Sequence, residues 1–310
     1  MFDQIVDRTK TNSAKWDESV EASHSKEVIS MSVADMDFRA PPEVIQSLIK
    51  MAEHGIYGYT NLSEKYIESV RNWIRKMYRW EIRKEWIVYC PRIVQAVSLV
   101  VQNHTEPGDN ILVQTPLYGP LMNAIQLNER NLVKNPLLYK DHQYEIDFKD
   151  LEEKFSKGVK AFIFCSPHNP VGRVWKEYEI EKIVKLCAKY DVLLISDEVH
   201  ADFTLEIPHT TVGKFTHIYN QMIICTSPGK TFNIPGLEVS NIIIPNDKLR
   251  EQFNLLLQQT GFHNPTFFAV PALEAAYSHG EKWLEKLKTY IRENYLLACE
   301  FFEKNIPEFK

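Results

Sequence analysis

Apolar positions along this chain change their period several times. Residues 43–54 and 63–79 carry helical spacing, and in the second stretch Tyr66, Val70, Trp73 and Met77 fall on one stripe. From residue 86 onward, short unbroken apolar runs alternate with helical patterns. The runs fall at 86–89, 110–114, 132–138, 160–165, 192–196, 222–225 and 239–244. The helical patterns fall at 93–104, 121–128, 150–156, 177–190 and 247–259. A continuous run such as Ala161-Phe-Ile-Phe164 is what a strand buried on both faces requires. Strands alternating with helices imply crossover connections, so the pattern predicts an α/β fold with a mainly parallel central sheet covered on both sides. The first forty-odd residues read as irregular up to Pro41-Pro42, and an aromatic turn at 55–60 separates the first two helices. Beyond Pro271 the pattern is purely helical, with Leu284, Leu287, Ile291, Ala298 and Phe302 along one face of a helix over 281–305. Such a face needs a partner surface, so the chain reads as cut short.

Composition narrows the class. At 310 residues the chain can bury a large core and carry a smaller second unit. A net charge of −5 and a pI near 6.1 argue against nucleic acid or an anionic membrane as the main partner. No apolar stretch reaches membrane-spanning length, and the N-terminus lacks the apolar core of a signal peptide. Five scattered cysteines, without metal-ligand spacing, read as reduced core thiols of a cytoplasmic protein.

Chemistry concentrates at three strand ends. Ser166-Pro-His-Asn-Pro-Val-Gly172, Ile195-Ser-Asp-Glu-Val-His200 and Thr226-Ser-Pro-Gly-Lys230 each follow or close an apolar run, and they carry Asn169, Asp197 and Lys230. Each spacing, 28 residues and then 33, fits one helical crossover between adjacent parallel strands. Ligands gather at such strand ends in open α/β sheets. Taken singly, Asn169 is also a turn former, Asp197 a helix cap and Lys230 a solvated lysine. Together they offer an amine for an aldehyde, a carboxylate for a pyridine nitrogen and an amide for a phenolic oxygen, which is what pyridoxal phosphate requires. The chain has no GxGxxG or Walker loop, which removes a nucleotide-binding reading.

The chain resembles fold-type I pyridoxal-phosphate enzymes of the aminotransferase class I/II superfamily, and within them the MalY/PatB group of cystathionine and cysteine C–S lyases. The resemblance runs from residue 1 to about 300. It is carried by Lys15-Trp-Asp17, Val33-Ala-Asp-Met-Asp-Phe38, His54-Gly-Ile-Tyr-Gly-Tyr-Thr60, Thr115-Pro-Leu-Tyr118, Ser166–Gly172, Ser196-Asp-Glu-Val-His-Ala-Asp202 and Ser227–Leu237. It implies that Lys230 bonds to the cofactor aldehyde, Asp197 pairs with the pyridine nitrogen and Asn169 donates to the ring oxygen. Tyr118 would stack on the ring. The phosphate would sit on the backbone amides of Ile93 and Val94, helped by the Ser227 hydroxyl. His200 stands where a tyrosine is common and reads equally as an assisting group or a satisfied buried histidine. Tyr59 would reach the phosphate of a neighbouring subunit, implying a homodimer; otherwise it is one aromatic of a packed turn. The implied division is 1–45 as part of a small domain, 46–280 as the large cofactor-binding domain and 281–310 as the start of the rest of the small domain.

Three departures stand out. Arg92 occupies a phosphate-loop position that is usually glycine, and Ser32 stands for a tryptophan of the substrate-pocket wall. By analogy with the family, roughly seventy or eighty further residues would follow Lys310, including the arginine that clamps the substrate carboxylate. The implied activity is β-elimination from a small sulfur-containing amino acid of the cystathionine or cysteine type, giving pyruvate, ammonia and a thiol. The alternatives are an aminotransferase, or a truncated cofactor-binding protein with little activity.

Overall fold

The computed structural model describes residues 2–25 and 27–308; Met1, Lys26, Phe309 and Lys310, including the last two positions of the expected 281–310 unit, lie outside the described residues. Three helices come first: α1 (Trp16–Ser23), α2 (Pro42–Glu53) and α3 (Glu64–Tyr78). Then follow β1 (Ile87–Cys90), α4 (Ile93–His104), β2 (Asn110–Thr115), α5 (Gly119–Gln126) and β3 (Asn131–Pro136). A small hairpin, β4 (Leu138–Lys140) and β5 (Gln143–Glu145), precedes α6 (Phe148–Ser156), β6 (Val159–Cys165), α7 (Glu177–Tyr190) and β7 (Leu193–Asp197). The remainder is β8 (Met222–Thr226), the one-turn α8 (Pro228–Thr231), β9 (Ser240–Ile243), α9 (Asp247–Gln259), α10 (Ala269–His279) and α11 (Glu281–Asn305).

Seven strands form one sheet in the order β1-β9-β8-β7-β6-β2-β3. The five strands from β8 to β3 run parallel, while β9 lies antiparallel to both β8 and β1. The alternation of side chains feeds two cores. Phe162, Phe164, Leu194, Met222 and Ile224 face one layer, while Ala161, Ile163, Ile195, Ile223 and Cys225 face the other. Strands β6, β7 and β8 are buried almost throughout, as their unbroken apolar runs require, whereas edge strand β3 is largely accessible. Helices α3, α7, α10 and the first turns of α11 close the first core; α4, α5 and α9 close the second.

Three expectations change. The N-terminal forty residues are not wholly irregular, because α1 forms there; none of its residues is buried, so it carries no apolar stripe to read. It is held instead by the Asp17 carboxylate, which accepts from the backbone N–H groups of Lys10, Thr11 and Ser13 at 2.7, 3.1 and 3.0 Å. The apolar run at 132–138 divides between β3 and β4. The connection from β7 to β8 carries two 3-10 turns, Ala201–Phe203 and Val212–Phe215, rather than a crossover helix. In α11 only Trp283, Leu284 and Leu287 are buried; Tyr295, Leu296, Leu297 and Phe301 are more than half exposed. Among the described residues, no helix is long and apolar enough to cross a membrane.

Candidate active site

Register brings the three chemical segments together. Asp197 at the end of β7 lies level with Cys165 on β6 and Cys225 on β8, so the chain leaves three adjacent strands at one sheet edge. Ser166 N–H donates to the Asp197 carbonyl and Glu198 N–H to that of Cys225, both at 2.9 Å, which carries the pairing one step past the strands. Asn169 is held in the next turn, where its carbonyl accepts from Tyr118 N–H at 3.2 Å. After β8, Ser227 caps α8 by accepting from Gly229 N–H at 2.9 Å, and Pro228 at the first helical position sets its backbone angle. Gly229 fits a tight place: a Cβ there would lie 3.0 Å from Ser227 Oγ and 3.4 Å from Pro235 Cα. This turn presents Lys230.

A cavity of about 660 Å³ opens at that edge, a size suited to a cofactor or small ligand. Eight of the nine residues singled out from the sequence line it: Ile93, Val94, Tyr118, Asn169, Asp197, His200, Ser227 and Lys230. Tyr59 does not; it is 99% exposed on the turn after α2. The Ser227 hydroxyl donates to the Val239 carbonyl at 2.6 Å, so its proton is committed within the chain.

The electrostatics differ on each wall. Burial raises the Asp197 carboxyl to about 6; the Val199 N–H bond at 3.2 Å lowers it, the Glu198 charge raises it and the Lys230 charge lowers it. Among the described residues no basic nitrogen lies within ion-pair distance of this carboxylate. Burial also lowers His200 to about 4, with the Lys230 charge adding to the effect, so the imidazole is neutral near pH 7. The Lys230 ammonium is pushed below its ordinary range by burial, against the opposing carboxylates of Asp35 and then Asp197. On another wall, α4 begins without a side-chain cap for its first backbone N–H groups, and its first residues, Ile93 and Val94, line the cavity.

Arg92 precedes that helix in ordinary extended conformation, at φ −136°, so glycine's freedom is not needed there. Its guanidinium turns aside to Glu238, with Nε at 3.0 Å, and leaves the helix start open. Ser32 is exposed, with its hydroxyl 3.4 Å from that of Ser30.

Sequence reading left several supporting residues without a role. Asp202 is buried beneath α8 and accepts from Thr231 Oγ1 at 2.7 Å, from Trp73 Nε1 at 3.3 Å and from the Tyr78 hydroxyl. Asn233 holds the segment at 36–38: it accepts from Met36 N–H at 2.9 Å and donates to the Met36 and Phe38 carbonyls at 2.8 and 2.7 Å. That segment is pinned on its other side by Arg8, which pairs with Asp35 and Asp37, and by Lys15 and Trp16 on Asp37. The segments containing Lys15, Asp35, Asp37 and Asp202 carried the family resemblance, but their spacing alone gives no pairing.

Residues 26–306 match the aminotransferase class I and II family, and the chain belongs to that family. Its relatives in the family include both lyases and aminotransferases. It is 41% identical to cystathionine beta-lyase PatB of Bacillus subtilis, over 100% of this chain and 81% of that protein. Cystalysin from Treponema denticola, solved with a pyridoxal 5'-phosphate cofactor, superposes with a TM-score of 0.96 at 38% identity, covering 99% of this chain and 79% of that one. The PLP-bound C–S lyase from Staphylococcus hominis superposes at 0.92 with 35% identity, covering 99% and 78%.

The residues here fit that cofactor on their own chemistry. Asp197 is a buried carboxylate without an ion pair among the described residues, α4 offers uncapped N–H donors for a phosphate, and Lys230 brings an amine to the cavity they line.

Proposed function

We propose that this chain is a pyridoxal-phosphate-dependent carbon–sulfur lyase, catalysing β-elimination from L-cystathionine or L-cysteine-type substrates. The observation that carries the reading is the buried Asp197 carboxylate, without an ion pair among the described residues, sharing one cavity with the Lys230 amine and the uncapped start of α4. The similarity to PatB and to the Staphylococcus hominis C–S lyase supports the same reaction class. Pyridoxal phosphate, when bound, supplies a conjugated ring that accepts the electron pair left at the substrate Cα.

The residues divide the work. Lys230 would hold the cofactor through its aldehyde and, once displaced by the substrate amine, would take the α-proton as general base. Asp197 would hold a proton on the ring nitrogen, which would keep the ring an effective acceptor. Asn169 would donate to the ring oxygen, Tyr118 would lie on the ring face, and the amides of Ile93 and Val94 would take the phosphate with Ser227 beside them. His200, neutral in its half-buried position, would serve as a hydrogen-bonding neighbour rather than a charge. Loss of the thiolate from Cβ, followed by hydrolysis, gives thiol, pyruvate and ammonia.

The chain works as a cytoplasmic homodimer in this reading, with the exposed Tyr59 reaching the partner's phosphate site. Segments 1–45 and 281–310 belong to one small unit, supported by the packing of Phe2 against Phe38, Trp283 and Tyr290 at ring separations of 5.0, 5.5 and 5.8 Å. Borohydride reduction of the cofactor-loaded protein followed by peptide mapping tests the assignment. The label belongs on Lys230, and a label on another lysine overturns it. Pyruvate release from cystathionine without keto-acid exchange separates the lyase from an aminotransferase.

A further inference from the structure

A second cavity, about 420 Å³, adjoins the first and shares Ala34, His200 and Lys230 with it. Its remaining walls come from the 35–38 segment, Lys15, Phe203 and Ile291. The Lys230 amine stands between the two, donating at 3.4 Å to the Ala34 carbonyl, which belongs to their shared wall. Two carboxylates of the segment line the space, and their environments differ. Asp37 is saturated: Arg8 and Trp16 each donate to Oδ1 at 2.7 Å, and Lys15 donates to Oδ2 at 2.9 Å. Asp35 is tied to Arg8 only through Oδ2, and its Oδ1 is buried without a hydrogen-bond partner. A buried carboxylate oxygen without a donor is costly unless something supplies one.

We propose that Asp35 is a positioning residue for Lys230, a second carboxylate set on the substrate side of the amine as Asp197 is set on the cofactor side. The inference rests on the assignment of Lys230 as the reactive amine. When the substrate's own amine frees Lys230, the lysine and Asp35 line the same second cavity. The proton leaves the substrate Cα for Nζ, and Asp35 stabilises the ammonium formed without taking the proton itself. The other groups around this amine leave the task to Asp35. Asp197 sits on the opposite side, His200 is neutral, Lys15 is engaged by Asp37, Arg92 by Glu238, and Ile291 from α11 is apolar. Among the carboxylates that oppose the effect of burial on Lys230, Asp35 contributes more than Asp197.

Opposite-signed variants test this. Asp35→Asn removes the negative charge; Arg8→Gln removes the positive charge that offsets it. Two readouts follow the charge at Lys230: the pH titration of the cofactor's visible absorbance in the loaded enzyme, and the pH dependence of Lys230 acylation in the cofactor-free chain, mapped by mass. Both midpoints should move to lower pH in Asp35→Asn and to higher pH in Arg8→Gln. A purely structural role loosens the same segment in both variants and displaces the midpoints in one direction. That result, or no displacement, overturns the proposal. Absence of any lysine-linked cofactor band in the wild-type protein overturns the cofactor assignment instead, and acylation then still decides the role of Asp35.

Discussion

Asp197→Asn should make the cofactor-free protein more stable while impairing it as an enzyme. The carboxyl rises from its ordinary 3.8 to about 6 because folding buries it with one backbone donor. That is about two decades of proton affinity, which at about 1.4 kcal/mol per decade corresponds to roughly 3 kcal/mol. The sign follows from the direction. Because the folded value is raised, the folded state binds the extra proton between 3.8 and about 6, so stability is lost as pH rises through that window and the full cost stands above it. Asparagine keeps an oxygen for Val199 N–H and carries no charge to desolvate. Urea unfolding of the two cofactor-free proteins should therefore show the variant ahead by up to roughly 3 kcal/mol near pH 8, with the gap shrinking toward pH 5. With cofactor present the order of merit should reverse, because under the proposed role of Asp197 the ring nitrogen would lose its anionic partner and elimination would slow severely. A cofactor-free variant no more stable than wild type near pH 8 would refute the account of Asp197 as an unpaired buried charge.

Four further outcomes follow from the packing. Gly280→Ala places a Cβ 2.4 Å from a Phe232 ring carbon and 2.5 Å from the Ala276 carbonyl oxygen, so overpacking should cost about 1–3 kcal/mol in a urea titration. Asp202→Ala strands the Tyr78, Thr231 and Trp73 donors and should destabilise the fold by at least about 2 kcal/mol, with a matching fall in cofactor occupancy. Arg92→Gly loses an exposed ion pair and should change stability by less than about 1 kcal/mol, with cofactor affinity held in an absorbance titration. Since His200 is lowered to about 4, His200→Gln should leave the shape of the activity profile between about pH 6 and pH 9 unchanged, even if the rate falls.

The sequence announces the sheet more clearly than the direction of its strands. Runs such as Ala161–Phe164 are legible because burial on both faces leaves no polar alternation to obscure them. The reversal of β9 is not, since pairing direction depends on how α8 and the turn at Pro235–Leu237 fold the short return from β8. Helices α4, α7, α9 and α11 match their expected limits because each carries an apolar stripe; α1 buries nothing and leaves no such trace. The same division holds at the site. Lys230, Asp197 and Asn169 are legible because strand ends locate them, and eight of the expected residues line one cavity. Arg8, Asp35, Asp202 and Asn233 act through contacts 27 to 197 residues away along the chain, which no local pattern encodes.

Asn233 follows Lys230 by three residues and grips the 36–38 segment through three hydrogen bonds. The tool and the vise that holds its workpiece are thus bolted to the same plate. When thermal motion shifts the turn bearing the amine, the wall opposite shifts with it, and the gap between them changes less than either position does. Tolerance in such a site is set by the stiffness of one short turn and its graft onto the segment at 36–38, not by the summed play of every element that surrounds the cavity.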